Sequence, residues 1–162
     1  MLKYATLETP IGIMTFIDRG GEICAINVGD APEYPATAVL GNTRALSSAK
    51  KQMMEYFKGR RTDFDLPLMP VGTKFQMNVW RELSKIPFGK LVSYGDIARA
   101  IGLPAAHRAV GTAVGKNPIP IIIPCHRVIT SGAKIGGFRL GLPMKRQLLQ
   151  HEMPLFDGKK FQ

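Results

Sequence analysis

Residues 2–8, 11–18 and 22–29 are three short runs of strand character, separated by turn signals at Thr9-Pro10 and Arg19-Gly20-Gly21. A helical period follows over 44–58. Leu46, Met53, Met54 and Phe57 share one face of it, and Gly59 is placed to end it. The run Leu66-Pro67-Leu68-Met69-Pro70 holds two prolines in five residues and reads as a linker. Beyond it, Thr73 and Gln76 are spaced as a capping box. The helix they start has Phe75, Val79, Leu83 and Ile86 on its buried side and runs to Pro87. Ser93 and Asp96 repeat the capping pattern and open a helix to about Ile101. Gly102-Leu103-Pro104 breaks the chain, and a further helix is expected from about Ala105 to Val114.

These elements predict an α+β (α/β) chain in two domains. Residues 1–70 form a small sheet-plus-helix scaffold, and residues 71–162 form a mainly helical domain with a helix-turn-helix. The last helix of that pair is built from small residues, with only His107 and Arg108 reaching outward. Such a helix either packs tightly on its own core or approaches another surface closely. On DNA it would read shape and phosphate more than base edges.

Charge sharpens that choice. The formal net charge is +10. Residues 1–70 carry eight Lys/Arg against eight Asp/Glu, whereas residues 71–162 carry fourteen against four, which is the whole excess. A basic face serving solubility is one explanation. A polyanionic partner, most simply nucleic acid, is the other. The opening residues, Met1 to Pro10, include Lys3 and Glu8 and lack an apolar segment of signal-peptide length. No run reaches the roughly 18 apolar residues of a membrane span. A cytoplasmic protein, or a nuclear one in a eukaryote, is expected, with no membrane association.

Two cysteines are present, Cys24 and Cys125. Cys24 sits in an alternating strand-like run and reads as a small buried hydrophobe. The three histidines are scattered and no ligand pair has zinc spacing, so no metal is expected. Cys125 is different. It ends the stiff run Asn-Pro-Ile-Pro-Ile-Ile-Ile-Pro and is followed by His126 and Arg127. A free thiol has a pKa near 8.5 and needs a base or a positive charge to react at neutral pH, and these neighbours are of both types.

The run Pro-Cys-His-Arg-Val at 124–128, preceded by Gly115-Lys116-Asn117-Pro118, resembles the active-site signature of the O6-alkylguanine-DNA alkyltransferases. Phe75 to Trp80, Val92-Ser93-Tyr94, Arg108-Ala109-Val110-Gly111, Gly136-Gly137-Phe138 and His151-Glu152 follow in the order and spacing of that family. The resemblance covers about residues 73–153. It implies a Cys-His-Glu relay: Cys125 accepts the alkyl group, His126 takes its proton through a bound water, and Glu152 orients the imidazole. It further implies that Asn117 braces the turn and that Tyr94 donates to N3 of the departing guanine. Arg108 would hold the place of a nucleotide flipped out of the duplex. Ser93, Ala109, Thr112, Lys116 and Arg127 are then expected at the DNA surface. Ile135, Gly136, Gly137, Phe138, Arg139 and Leu140 are expected to line the pocket with Tyr94. Some members carry a hydroxyl and then Gly where this chain has Arg139 and Leu140; others, like this chain, carry Arg and a bulky residue.

The implied function is single-turnover repair of double-stranded DNA containing O6-alkylguanine, by a monomer without cofactors. A thioether at Cys125 is not readily cleaved by water, and no second nucleophile or metal is apparent. Two other readings fit parts of the chain. A Cys-His hydrolase would need an oxyanion hole that nothing in the sequence marks. A non-catalytic helix-turn-helix regulator would explain the charge but would leave Cys125 and His126 without a task.

Overall fold

The three strand runs form one antiparallel ladder: β1 (Leu2–Thr9), β2 (Gly12–Arg19) and β3 (Glu22–Gly29). The β2–β3 hairpin turns on Gly20 and Gly21 with φ of 62° and 91°, the left-handed pair that a two-residue turn needs. A short strand β4 (Val39–Leu40), with no counterpart in the sequence pattern, pairs parallel to β1 and gives the order β3-β2-β1-β4. In this computed structural model, which describes residues 1–132 and 134–154, the chain divides into two units after Val71. The last eight residues of the expected C-terminal domain lie outside the described residues.

Helix α1 (Arg44–Phe57) packs on the first three strands and buries Leu46, Ala49, Met53 and Tyr56. Met54 and Phe57, which the sequence period placed on the same face, are exposed and half-buried respectively. Thr43 caps α1, accepting from Leu46 N at 3.1 Å, and its hydroxyl donates to Asp18 Oδ2 at 2.6 Å. The cap thus ties the helix start to β2. The proline-rich segment is not a free linker. Pro67 O accepts from Ile23 N, and Met69 N donates to Ile23 O, both at 2.8 Å, so Leu68 pairs in parallel with β3. Proline lacks an amide donor but keeps its carbonyl, which is the group this pairing uses.

The second unit begins with α2 (Lys74–Leu83), with its capping box at Thr73 and Gln76 formed on both sides. The helix stops at Leu83 rather than at Pro87, and Ile86 is buried from the turn that follows. Next come β5 (Val92–Ser93), α3 (Tyr94–Ala100) and α4 (His107–Gly115). Ser93 and Asp96 form the second capping box at the start of α3. Ala105 and Ala106 belong to the turn before α4, and Gly102 takes φ 78° where α3 ends. After a 3-10 turn, Cys125–Arg127, strand β6 (Val128–Ile129) pairs parallel to β5. Helix α5 (Leu142–Glu152) closes the described chain, with proline in its first turn as helix starts favour. Among the described residues no helix is long and apolar enough to cross a membrane.

The buried face of α2 holds α4 in place. Trp80 is almost fully buried, and its indole N–H donates to Ala113 O at 2.9 Å, deep in α4. Trp80→Phe would remove one of that carbonyl's two donors and leave it Lys116 N at 3.1 Å, at a cost of about 0.5–1.5 kcal/mol. Equilibrium unfolding in urea should show a lowered midpoint of that size. An unchanged midpoint would mean the bond does not anchor α4.

Candidate active site

Three prolines and an asparagine shape the approach to Cys125. Asn117, fully buried, accepts from Ile119 N at 3.0 Å and donates to Ile123 O at 2.7 Å, closing the loop on itself. The loop carries Ile121 at φ 74°, a left-handed conformation that a β-branched residue adopts only when its surroundings impose it. The Asn117 side chain also hydrogen-bonds the Cys125 sulfur, which favours the thiolate. Its expected role as a brace therefore has a geometric basis.

Behind the cysteine lies a buried charge network. His126 Nε2 and Glu152 Oε2 are 2.6 Å apart. Arg127 meets the same carboxylate on both oxygens, with Nε to Oε1 at 2.7 Å and Nη2 to Oε2 at 3.0 Å; its Nη1 donates to Ile86 O at 2.6 Å. All three side chains are nearly inaccessible. Burial alone would push the Glu152 carboxyl up, but hydrogen bonds and charge from His126 and Arg127 outweigh it and hold the pKa at about 2. Burial lowers the His126 pKa, with Glu152 opposing. The imidazole is then neutral at pH 7. With Nε2–H turned to the carboxylate, its bare nitrogen is Nδ1, a buried atom without a hydrogen-bond partner among the described residues.

Arg127 must be removed from the expected DNA contacts. Its guanidinium serves Glu152 and a backbone carbonyl, and Phe88 lies over it at 5.8 Å. A second cation, Lys145, is also spent inside the protein, and the sequence reading missed it. Its Nζ donates to Val128 O at 2.7 Å, to Gly137 O at 3.1 Å and to Ile135 O. Lys145 thus ties β6 to the 135–137 loop from within α5, and burial lowers its pKa to about 8. Nothing in local pattern sets it apart from a surface lysine, except its place four residues after Gly141 on a helix whose register was not predicted.

Cys125 opens on a cavity of about 440 Å3 lined by Tyr94, Arg108, Gly111, Asn117 and Gly136 to Leu140, among others. Tyr94 and the 136–137 backbone are in close contact. A Cβ on Gly136 would come within 2.9 Å of the Tyr94 hydroxyl, and φ there is +74°, so glycine is required twice over. Gly137 hydrogen-bonds the Tyr94 hydroxyl through its backbone. Ile135 does not line the cavity: it is buried and contributes its carbonyl to Lys145 instead. Thr112 lines the cavity and its hydroxyl donates to Arg108 O. Ala109 and Lys116 are exposed, while half-buried Ser93 is occupied as a helix cap.

Burial raises the Cys125 pKa, against the Asn117 hydrogen bond and the positive charges of Lys145 and Arg139. The resting pair is thus a thiol beside a neutral imidazole, not a thiolate–imidazolium pair. Cys24 lies in the other unit, half-buried, and burial raises its pKa too, with Arg19 opposing. Among the described residues, no group of three or more His, Cys, Asp or Glu side chains is placed to hold a metal ion.

Two family models cover nearly the whole described chain. Residues 74–154 match the 6-O-methylguanine DNA methyltransferase, DNA binding domain, and residues 2–70 match its ribonuclease-like domain. The chain belongs to the 6-O-methylguanine DNA methyltransferase family. It is 43% identical to a methylated-DNA–protein-cysteine methyltransferase of Mycolicibacterium paratuberculosis, over 94% of this chain and 93% of the relative. The crystal structure of Mycobacterium tuberculosis O6-methylguanine methyltransferase is similar with a TM-score of 0.85 and 40% identity, covering 97% of this chain and 96% of that one. That of Mycobacterium tuberculosis OGT in complex with DNA is similar with a TM-score of 0.85 and 39% identity, covering 98% of both chains. The candidate site residues Tyr94, Asn117, Cys125, His126 and Glu152 come from four separate stretches of sequence.

Two outcomes are expected from the network around Glu152. A carboxyl held at about 2 instead of 4.5 contributes stability that is present above the higher value and is lost as pH falls through the lower one. The difference is worth about 3 kcal/mol. Acid unfolding curves should show Glu152→Gln losing this part of the pH dependence. The same variant leaves Arg127 buried without its counter-charge, so it should also be about 3–5 kcal/mol less stable at neutral pH. A variant as stable as the parent at pH 7 would contradict the network.

Proposed function

We propose that this chain repairs DNA by transferring an alkyl group from O6 of guanine, chiefly methyl, to its own Cys125. The observation that carries the reading is Cys125 opening on a base-sized cavity, with the His126–Glu152–Arg127 network buried behind it. The names of the methyltransferase relatives, and a similar fold solved with DNA, support the same reaction and partner.

The chemistry follows from the resting state. As the alkylated base enters, the thiol proton passes through a bridging water to Nδ1 of His126, and Glu152 stabilises the imidazolium that forms. Sγ attacks the alkyl carbon, a C–S bond forms, and the carbon–O6 bond breaks with its electron pair going to guanine. The proton ends on the departing guanine, whose developing charge a donated hydrogen bond from Tyr94 offsets. The product is a thioether. No water step regenerates the thiol, so each molecule reacts once.

The target carbon is sheltered in stacked duplex DNA, so the base must be flipped into the cavity. Arg108 is exposed at the start of α4 and also lines the cavity, which suits it to fill the gap in the stack. Ala109, Thr112 and Lys116 on or beside α4, and Ser93 ahead of α3, form the proposed DNA-facing set. The protein acts as a monomer in this reading.

Mass spectrometry after incubation with duplex DNA containing O6-methylguanine tests the reaction. The protein should gain one methyl group, on the peptide containing Cys125. Cys125→Ser should abolish the gain and keep DNA binding, whereas Cys24→Ser should still be methylated. Turnover of an ester without mass gain would instead favour a hydrolase, and binding alone a regulator.

Leu140 lines the cavity where some relatives have glycine, and a branched side chain there takes up room that glycine leaves open. Methyl transfer needs little room, whereas a benzyl group must lie flat against that wall. Leu140→Gly should therefore speed inactivation by free O6-benzylguanine more than inactivation by methylated DNA. Equal changes in both second-order rates would show that Leu140 does not gate the cavity.

A further inference from the structure

The cations around Cys125 are mostly committed already. Arg127 is spent on Glu152 and on Ile86 O. Lys145 donates to the carbonyls of Val128, Ile135 and Gly137, one for each of its protons. Arg108 lines the cavity from the start of α4, and in the reading above it moves into the DNA stack when a base enters. Arg139 is left over. It is exposed yet lines the same cavity, and its positive charge acts on the Cys125 sulfur. Among the described residues no hydrogen bond or ion pair holds its guanidinium.

Nothing in the cavity neutralises that group either, since no Asp or Glu is among the described residues that line it. A methyl adduct has no polar atom for the guanidinium to meet. An adduct that ends in a carboxylate poses a different problem. Its negative group lies one bond beyond the carbon that Sγ attacks, so it is forced close to the charge gathering on sulfur. In a cavity emptied of water that repulsion is far stronger than in solution. It is greatest once the proton has left Sγ, so a cation that offsets it acts on the rate of transfer. A guanidinium also fits a carboxylate with two parallel N–H donors.

We propose that Arg139 makes this cavity competent for O6 adducts that end in a carboxylate, such as carboxymethyl, by pairing with the carboxylate beside Sγ. The proposal rests on the alkyl-transfer reading above and names a substrate class for the same site. Sγ bonds the methylene carbon, and the carbon–O6 bond breaks with its electron pair going to guanine. The thiol proton ends on guanine as before, and Cys125 becomes S-carboxymethylcysteine.

The experiment compares second-order rates on duplexes carrying O6-carboxymethylguanine or its neutral isostere O6-carbamoylmethylguanine, with O6-methylguanine as reference. Transfer is read as mass gained by the Cys125 peptide. The ratio of carboxymethyl to carbamoylmethyl rates within each variant cancels any loss of folding or DNA binding that the two share. The parent should handle both at similar rates. Arg139→Gln should lower the ratio about tenfold, the worth of one charged hydrogen-bonded pair, and Arg139→Lys should keep most of it. Lys134→Gln removes an exposed positive charge from the same loop, at a residue that does not line the cavity, and should leave the ratio at the parent value. A parent ratio already tenfold below one would overturn the proposal. So would an unchanged ratio in Arg139→Gln, or an equal fall in Lys134→Gln. If methyl still reaches Cys125 in those cases, the adduct class alone is wrong; if no methyl reaches Cys125 in the parent, the alkyl-transfer reading falls and this proposal with it.

Discussion

One carboxylate organises the reactive end of this protein. Glu152, the last residue of α5, is shared by His126 at Oε2 and by Arg127 at both oxygens. A buried carboxylate is expensive unless its charge is matched and its lone pairs are filled. Arg127 supplies the charge and two of the bonds, which frees His126 to stay neutral. The demands on adjacent residues then become clear. Arg127 must point inward, the 125–127 segment must be a tight turn to aim both residues at Glu152, and α5 must end where it does. The Arg127 bond to Ile86 O carries the same network back to the segment after α2.

Lys145 extends this logic to the cavity wall. Its ammonium gathers carbonyls from β6 and from the 135–137 loop, so the strand leaving the cysteine and the loop facing it share one anchor. The positive charge also favours the Cys125 thiolate. One helix therefore delivers two groups, a carboxylate and an ammonium, to two sides of the same cysteine, seven residues apart on α5. A basic composition read only as a DNA-facing surface misses that two of its cations are internal.

The sequence was legible where chemistry is local. Capping boxes at Thr73 and Ser93, the glycine hairpin at 20–21 and the helix over α1 follow from short-range rules, and each is present. Boundaries slipped where tertiary contacts decide them: α2 stops early because Ile86 is buried from a turn, and the proline-rich segment is drawn into pairing with β3. Cys125 and His126 stood out through an unusual local run, whereas Asn117, Glu152 and Tyr94 came only from family likeness. Arg127 was misread because adjacency to His126 says nothing of direction. Lys145 and the strained Ile121 had no local signal, since both are set by partners far along the chain or by the closure of the whole loop.

The raised thiol pKa and the lowered imidazole pKa at first look wrong for a nucleophile. A permanent thiolate would be more reactive, but toward any electrophile or oxidant that reached it. A thiol that can be used only once gains from staying protonated until its target arrives. Burial supplies that restraint. Neutral His126, with Nδ1 bare and Glu152 already in place, supplies the means to lift it through a bridging water. The Asn117 bond and the charges of Lys145 and Arg139 act on the sulfur once its proton has moved, so they lower the barrier more than they populate the anion beforehand. A base seated in the cavity would displace water from the sulfur and strengthen each of those interactions at the moment they are needed. Selectivity and reactivity thus come from the same burial, in sequence rather than in opposition.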